Sequence, residues 1–137
     1  MNDVELAKLL GYLSIGLGAA ELIAPRQLVR ALGLPRSTAL VRGFGTREIG
    51  AGIAILTMPD NPGPVWARVG GDVLDLAVLA TALLPGNRRR GAAAAATAAV
   101  IAVTALDVLC ATALARRESR ALRTARRTRV ARPGANA

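Results

Sequence analysis

Histidine is absent from the 137-residue chain, and cysteine occurs once, as Cys110. The first absence excludes a Ser-His-Asp triad, an imidazole metal site and an imidazole pH switch. The second excludes an internal disulfide and a thiolate zinc site. The aromatic residues are only Tyr12, Phe44 and Trp66, so base stacking cannot be a main route to nucleic acid. Lysine is nearly missing as well. Lys8 is alone among 18 basic residues, the rest being Arg, and these stand against 9 acidic residues for a net charge of +9. What is abundant is apolar: 53% of the residues are hydrophobic, which argues against disorder for most of the chain.

A chain can be both apolar and strongly charged if the two are segregated, and here they largely are. The first apolar stretch, Leu9 to Ala24, makes with its preceding turn a helix long enough to cross ~30 Å of hydrocarbon. Asn2 or Asp3 can cap it, and Pro25 ends it. Its acidic start and Glu21 do not fit a cleavable signal peptide. The segment 25–34 sets Leu28, Val29, Leu32 and Leu34 among Arg26 and Arg30, the pattern of a short amphipathic helix at an interface. The second stretch runs from Ser37, a candidate N-cap, to Met58, and closes on the breakers Pro59 to Pro64. The third runs from Val65 to Leu84, with Trp66 as an interfacial anchor, and Pro85-Gly86-Asn87 stops it. The fourth, Ala92 to Ala115, carries one charge, Asp107.

A soluble bundle needs a polar face on every helix, and the fourth stretch has none. The expected fold class is therefore all-α: a four-helix transmembrane bundle, with spans near 5–24, 37–58, 65–84 and 92–115 and a short amphipathic helix between the first two. Residues 116–137 form a basic, partly disordered tail. Lys8 and eight tail Arg lie on one side, against Arg26, Arg30, Arg36, Arg88, Arg89 and Arg90 on the other. That bias puts both termini in the cytoplasm of a multi-pass inner-membrane protein. Arg116, Arg117, Arg120 and Arg123 would grip anionic lipid headgroups at ~1 kcal/mol each. No aromatic residue interleaves with them, which disfavours nucleic acid as a partner. A second copy of the chain or another membrane protein is a possible further partner.

The informative residues are the ionisable ones at membrane depth: Glu21, Arg42, Arg47, Glu48, Arg68, Asp72, Asp75 and Asp107. Each costs at least ~2.5–3.5 kcal/mol at a span centre, although Arg42 and Arg68 can snorkel. Arg68, Asp72 and Asp75 stand at i, i+4 and i+7 on one helix side, so Arg68 and Asp72 can pair within the helix. Ser14, Gly18 and Glu21 repeat the same spacing on the first span. An inward-facing network of three Arg and five carboxylates leaves two negative charges unmatched. Either two carboxylates are protonated, or a cation or polar ligand enters. The alternative is a network that only fixes the fold. Ser14-x-x-x-Gly18, Gly16-x-x-x-Ala20, Gly43, Gly45, Gly50 and Gly52 permit close helix contacts, and Gly70-Gly71 could open backbone to a ligand beside Asp72. Cys110 is a small core residue rather than a nucleophile.

Four motifs occur in order: Glu21-Leu-Ile-Ala-Pro-Arg, Arg47-Glu-Ile-Gly-Ala-Gly, Trp66-Ala-Arg-Val-Gly-Gly-Asp-Val-Leu-Asp-Leu and Ala105-Leu-Asp-Val-Leu-Cys. Over residues 5–115 the chain resembles the small four-helix bacterial membrane proteins loosely called cyclase/dehydrase. In many of those a similar region precedes a START-like domain. The resemblance implies a multi-pass membrane protein and supplies no catalytic residues. The sequence ends about twenty residues after the fourth stretch, so that soluble domain and its cyclase activity are not expected. The Arg47-Glu48-Ile49 and glycine pattern is similar, more faintly, to DoxX-like four-helix membrane proteins.

The expected function is a non-enzymatic membrane module, with no cofactor and no metal. It would bind a small polar or lipid-derived ligand, or a partner protein, through Glu21, Arg47, Glu48, Arg68, Asp72, Asp75 and Asp107. Arg47 and Arg68 would hold carboxylates or an anionic ligand, and Asp72 and Asp75 would take up a proton or cation. The alternatives are a proton-coupled or small-molecule transporter subunit using the same carboxylates, and an intramembrane enzyme with Asp72 and Asp75 as an acid–base pair.

Overall fold

The computed structural model describes residues 1–34 and 38–130. Arg36, the Ser37 cap and the end of the tail from 131 onward lie outside the described residues. Within them the chain is all-α, in five helices and without a strand: α1 (Asp3–Ile23), α2 (Pro25–Leu32), α3 (Thr38–Thr57), α4 (Pro62–Ala82) and α5 (Arg90–Val130).

Local chemistry sets the boundaries. Asn2 caps α1 in a reciprocal box, its side chain accepting from the Glu5 N–H and its own N–H donating to the Glu5 carboxylate, each at 2.9 Å. Two otherwise orphaned helix donors are thereby satisfied. Pro25 closes α1 and occupies the first position of α2, where its missing N–H takes nothing from the helix. Gly33, at φ 63°, ends α2 in the left-handed region. α4 begins three residues before Val65 because Pro62 and Pro64 sit in its first turn, where prolines break no hydrogen bond; Asn61 caps it through Gly63 N–H at 2.8 Å.

The main departure from the sequence reading is α5. Its helix does not end at Ala115 but continues through the Arg-rich segment to Val130, 41 residues in all. Segment 116–130 is thus helical and exposed. No Gly or Pro interrupts the run between Gly91 and Pro133, so nothing in the sequence stops the helix.

α1 packs most closely on α3, and α4 on α5; the two pairs meet chiefly along α3 and α4. The α1–α3 seam is antiparallel and built on glycine. A Cβ on Gly18 would lie 2.5 Å from the Gly45 carbonyl oxygen, and one on Gly52 would lie 2.6 Å from the Gly11 carbonyl oxygen. Only glycine allows backbones this close. Gly16, Gly43 and Gly50 face open space, and Ala20 is exposed, so the Gly16-x-x-x-Ala20 pair plays no part in the seam.

One buried apolar cluster joins Ala7 and Leu10 of α1, Ile55 of α3, Val65 of α4, and Cys110, Ala111 and Leu114 of α5. It lies where α1 and α4 begin and α3 ends. Much other apolar bulk faces outward, including Leu9, Tyr12, Ile53, Val73, Leu74, Ile101 and Leu109. Two helices, α1 and α5, are long and apolar enough to cross a membrane. The C-terminal ends of α2 and α4 are tied by Asn87, whose amide donates to Leu32 O at 3.1 Å and to Ala82 O at 2.6 Å.

Candidate functional site

The ionisable residues converge next to this apolar cluster. Arg68 on α4 is only 1% exposed. Its Nε donates to Asp107 Oδ2 on α5 at 2.9 Å, and its Nη1 donates to Glu48 Oε2 on α3 at 3.1 Å and to the Leu10 carbonyl of α1 at 3.3 Å. One side chain thus touches all three other long helices. A buried guanidinium is tolerable only with charged partners and satisfied donors.

Arg47 on α3 forms the second centre. Its Nη2 donates to Glu48 Oε1 and to Asp75 Oδ2, both at 2.9 Å, and its Nη1 donates to Gly71 O at 2.8 Å. The guanidinium also sits 5.3 Å from the Phe44 ring centre, within cation–π range. Glu48 is shared by the two centres, one oxygen facing each arginine. Its Oε2 also accepts from Ser14 Oγ at 2.6 Å, and Ser14 reaches the Glu48 carbonyl at 2.8 Å.

Several sequence expectations change here. Arg68 does not pair with Asp72 one turn along its own helix; it spans to α3 and α5, and Asp72 instead accepts from Thr104 Oγ1 at 3.0 Å. Arg42 is exposed and outside the ion pairs of the described residues, because its position on α3 faces away from α4. Gly71 opens no space for a ligand: a Cβ there would lie 2.5 Å from the Arg47 guanidinium carbon, which already fills the gap. Arg116, Arg117, Arg120 and Arg123 are exposed on α5, and Arg117 makes a loose 3.7 Å pair with Asp3, worth little at that exposure.

Ser14, Thr104 and the Leu10 carbonyl join the network although none of them is ionisable. The first had a visible signal, since it lies on the same helical stripe as Glu21; a backbone acceptor has none.

With Arg42 outside, two guanidiniums face five carboxylates: Glu21, Glu48, Asp72, Asp75 and Asp107. The formal excess is three negative charges rather than two. Three buried carboxylate oxygens, Glu21 Oε2, Asp75 Oδ1 and Asp107 Oδ1, have no hydrogen-bond partner among the described residues. One oxygen from each of Glu48, Asp72 and Asp75 lies within 4.8 Å of the other two.

A cavity of about 400 Å³ opens beside this cluster, within the size range of small-molecule sites. Glu21, Glu48, Arg68, Asp72 and Asp75 form its polar wall. The rest is apolar and comes from all five helices, with Leu17, Leu28, Phe44, Leu79 and Val100 as representatives. No family model, curated protein or solved structure matches the chain.

Proposed function

We propose that the protein is a four-span integral membrane protein, without enzymatic activity, that holds a lipid-derived ligand in the cavity between its helices. The Arg–carboxylate cluster is the polar end of that site. The observation that carries the reading is the cavity itself: an apolar chamber closed on one side by five ionisable residues. Such a division of surface matches a molecule with an apolar body and one polar group.

The membrane setting is supported by where charge and apolar bulk lie. α3 and α4 match α1 in length and differ by carrying Arg47, Glu48, Arg68, Asp72 and Asp75. Those five residues take part in the internal polar contacts, so their charges are matched within the bundle, and Arg42 near the start of α3 can snorkel. Leu9, Tyr12, Val73, Leu74 and Leu109 point outward, a surface suited to hydrocarbon. The Arg distribution supports an inner-membrane location with both termini in the cytoplasm. The likeness to the cyclase/dehydrase group fits this reading.

Two measurements test it. The protein should stay in the membrane pellet after an alkaline carbonate wash, and recovery as a detergent-free soluble monomer refutes the membrane reading. Native mass spectrometry from nanodiscs should then find a retained lipid-sized adduct on the wild type, and Leu79→Trp, which fills the chamber, should lose it. Equal retention by a correctly folded Leu79→Trp protein refutes the cavity as the site.

A further inference from the structure

We infer that the cavity selects a cationic amphiphile, one carrying an ammonium group on an apolar body, over neutral or anionic molecules of the same shape. The inference rests on the reading of the cavity as a ligand site and specifies the charge of what enters it.

The argument starts from the polar wall. Each guanidinium is already committed to two carboxylates: Arg47 to Glu48 and Asp75, Arg68 to Glu48 and Asp107. An anionic head would be a sixth negative group among two positive ones. A neutral head would leave the imbalance as it stands. An ammonium opposes it, and acceptors are waiting: Glu21 Oε2 and Asp75 Oδ1 are buried, have no partner, and belong to residues that line the cavity. An ammonium offers only donors, which is what two unpartnered carboxylate oxygens require.

A metal ion fits less well. The approach of Glu48, Asp72 and Asp75 oxygens within 4.8 Å is suggestive, but both oxygens of Glu48 already accept from arginine. A hard cation needs six or more oxygens, and here it would displace a guanidinium to obtain even three.

The remaining walls decide against a small hydrophilic cation. Leu13, Leu17, Leu28, Leu32, Phe44 and Val100 cover the chamber away from the carboxylates. Leu13 and Leu17 are also 39% and 44% exposed, and Ala99 of α5, another lining residue, is exposed too. The exposed part of the lining, which also includes Leu40 of α3, is thus apolar and offers a route into the chamber past apolar side chains. An occupant entering by that route comes from the hydrocarbon and brings an apolar body.

The test is a matched series: dodecylamine, dodecanol and dodecanoate, each titrated against the full chain in nanodiscs at pH 7 and read by displacement of a fluorescent fatty amine. The amine should bind about ten- to a hundredfold tighter than the alcohol, the range of one or two charge-assisted hydrogen bonds. The carboxylate should bind weakest. Glu21→Gln should cut the amine's advantage over the alcohol about tenfold and leave the alcohol unchanged, since one of the two charged acceptors is lost while Asp75 remains. If all three probes bind alike, or the carboxylate binds best, the cationic preference is refuted while the cavity remains a ligand site. If none binds, or if binding is unchanged in a correctly folded Leu79→Trp protein, the cavity reading falls with it. The wild-type series decides the matter even if Glu21→Gln does not fold.

Discussion

Replacing Arg68 by Leu should expose how the charge network is wired. The substitution leaves Asp107, fully buried, without the cation it pairs with, because Oδ2 loses Arg68. Glu48 keeps Arg47 and Ser14. Breaking a buried pair from one side costs about 3–5 kcal/mol, and the value here should fall in that range. Asp107→Leu should cost less, about 1–3 kcal/mol, because Arg68 still has Glu48 and the Leu10 carbonyl. Removing both partners takes away the uncompensated charge, so the double variant should be more stable than Arg68→Leu alone. The coupling between the two sites should reach about 1–3 kcal/mol. Arg68→Leu combined with Asp72→Leu should couple more weakly, since Asp72 takes its hydrogen bond from Thr104. The assay is reversible unfolding in mixed micelles by SDS titration, followed by helical circular dichroism. Strict additivity for Arg68 and Asp107, or stronger coupling of Arg68 with Asp72, would refute the assignment of partners.

Two further predictions concern packing. Gly18→Ala should destabilise the protein by at least about 1–3 kcal/mol, because its methyl group meets the Gly45 carbonyl oxygen at 2.5 Å. Gly16→Ala, which meets nothing within 4 Å, should be neutral or stabilising by up to about 1 kcal/mol; opposite signs in the same SDS titration check the seam. Asn87→Ala removes the amide that joins the ends of α2 and α4 and should cost about 1–2 kcal/mol. It should also speed amide hydrogen exchange in α2, and unchanged exchange there would show that Asn87 does not anchor it.

The sequence made the helices legible because breakers and caps bracket each apolar stretch: Asn2, Pro25, Gly33, Asn61 and the turn before α5 all act where they stand. It also made the inward carboxylates legible, because an ionisable residue inside an apolar stretch needs a partner. The pairing was not legible. Helical spacing fixes which residues share a face, but not the register between α4 and α5, and it is that register which lets Arg68 reach Asp107 rather than Asp72. Arg42 shows the same limit from the other side, since its charge alone does not reveal which way its face of α3 turns. The tail misled for a different reason. Arg is a good helix former, and a run of like charge reads as disorder until an existing helix lends it a start.

α5 carries Asp107 near its middle and the arginines of segment 116–130 at its end, and no Gly or Pro lies between them. At 1.5 Å per residue, the distance from Asp107 to Arg127 is about 30 Å of uninterrupted helix. Arg116, Arg120, Arg123 and Arg127 recur at spacings of four, three and four, so they form one stripe along that rod. Asp107, half of the most buried ion pair, and the exposed arginine stripe therefore belong to one continuous helix, with no loop between them.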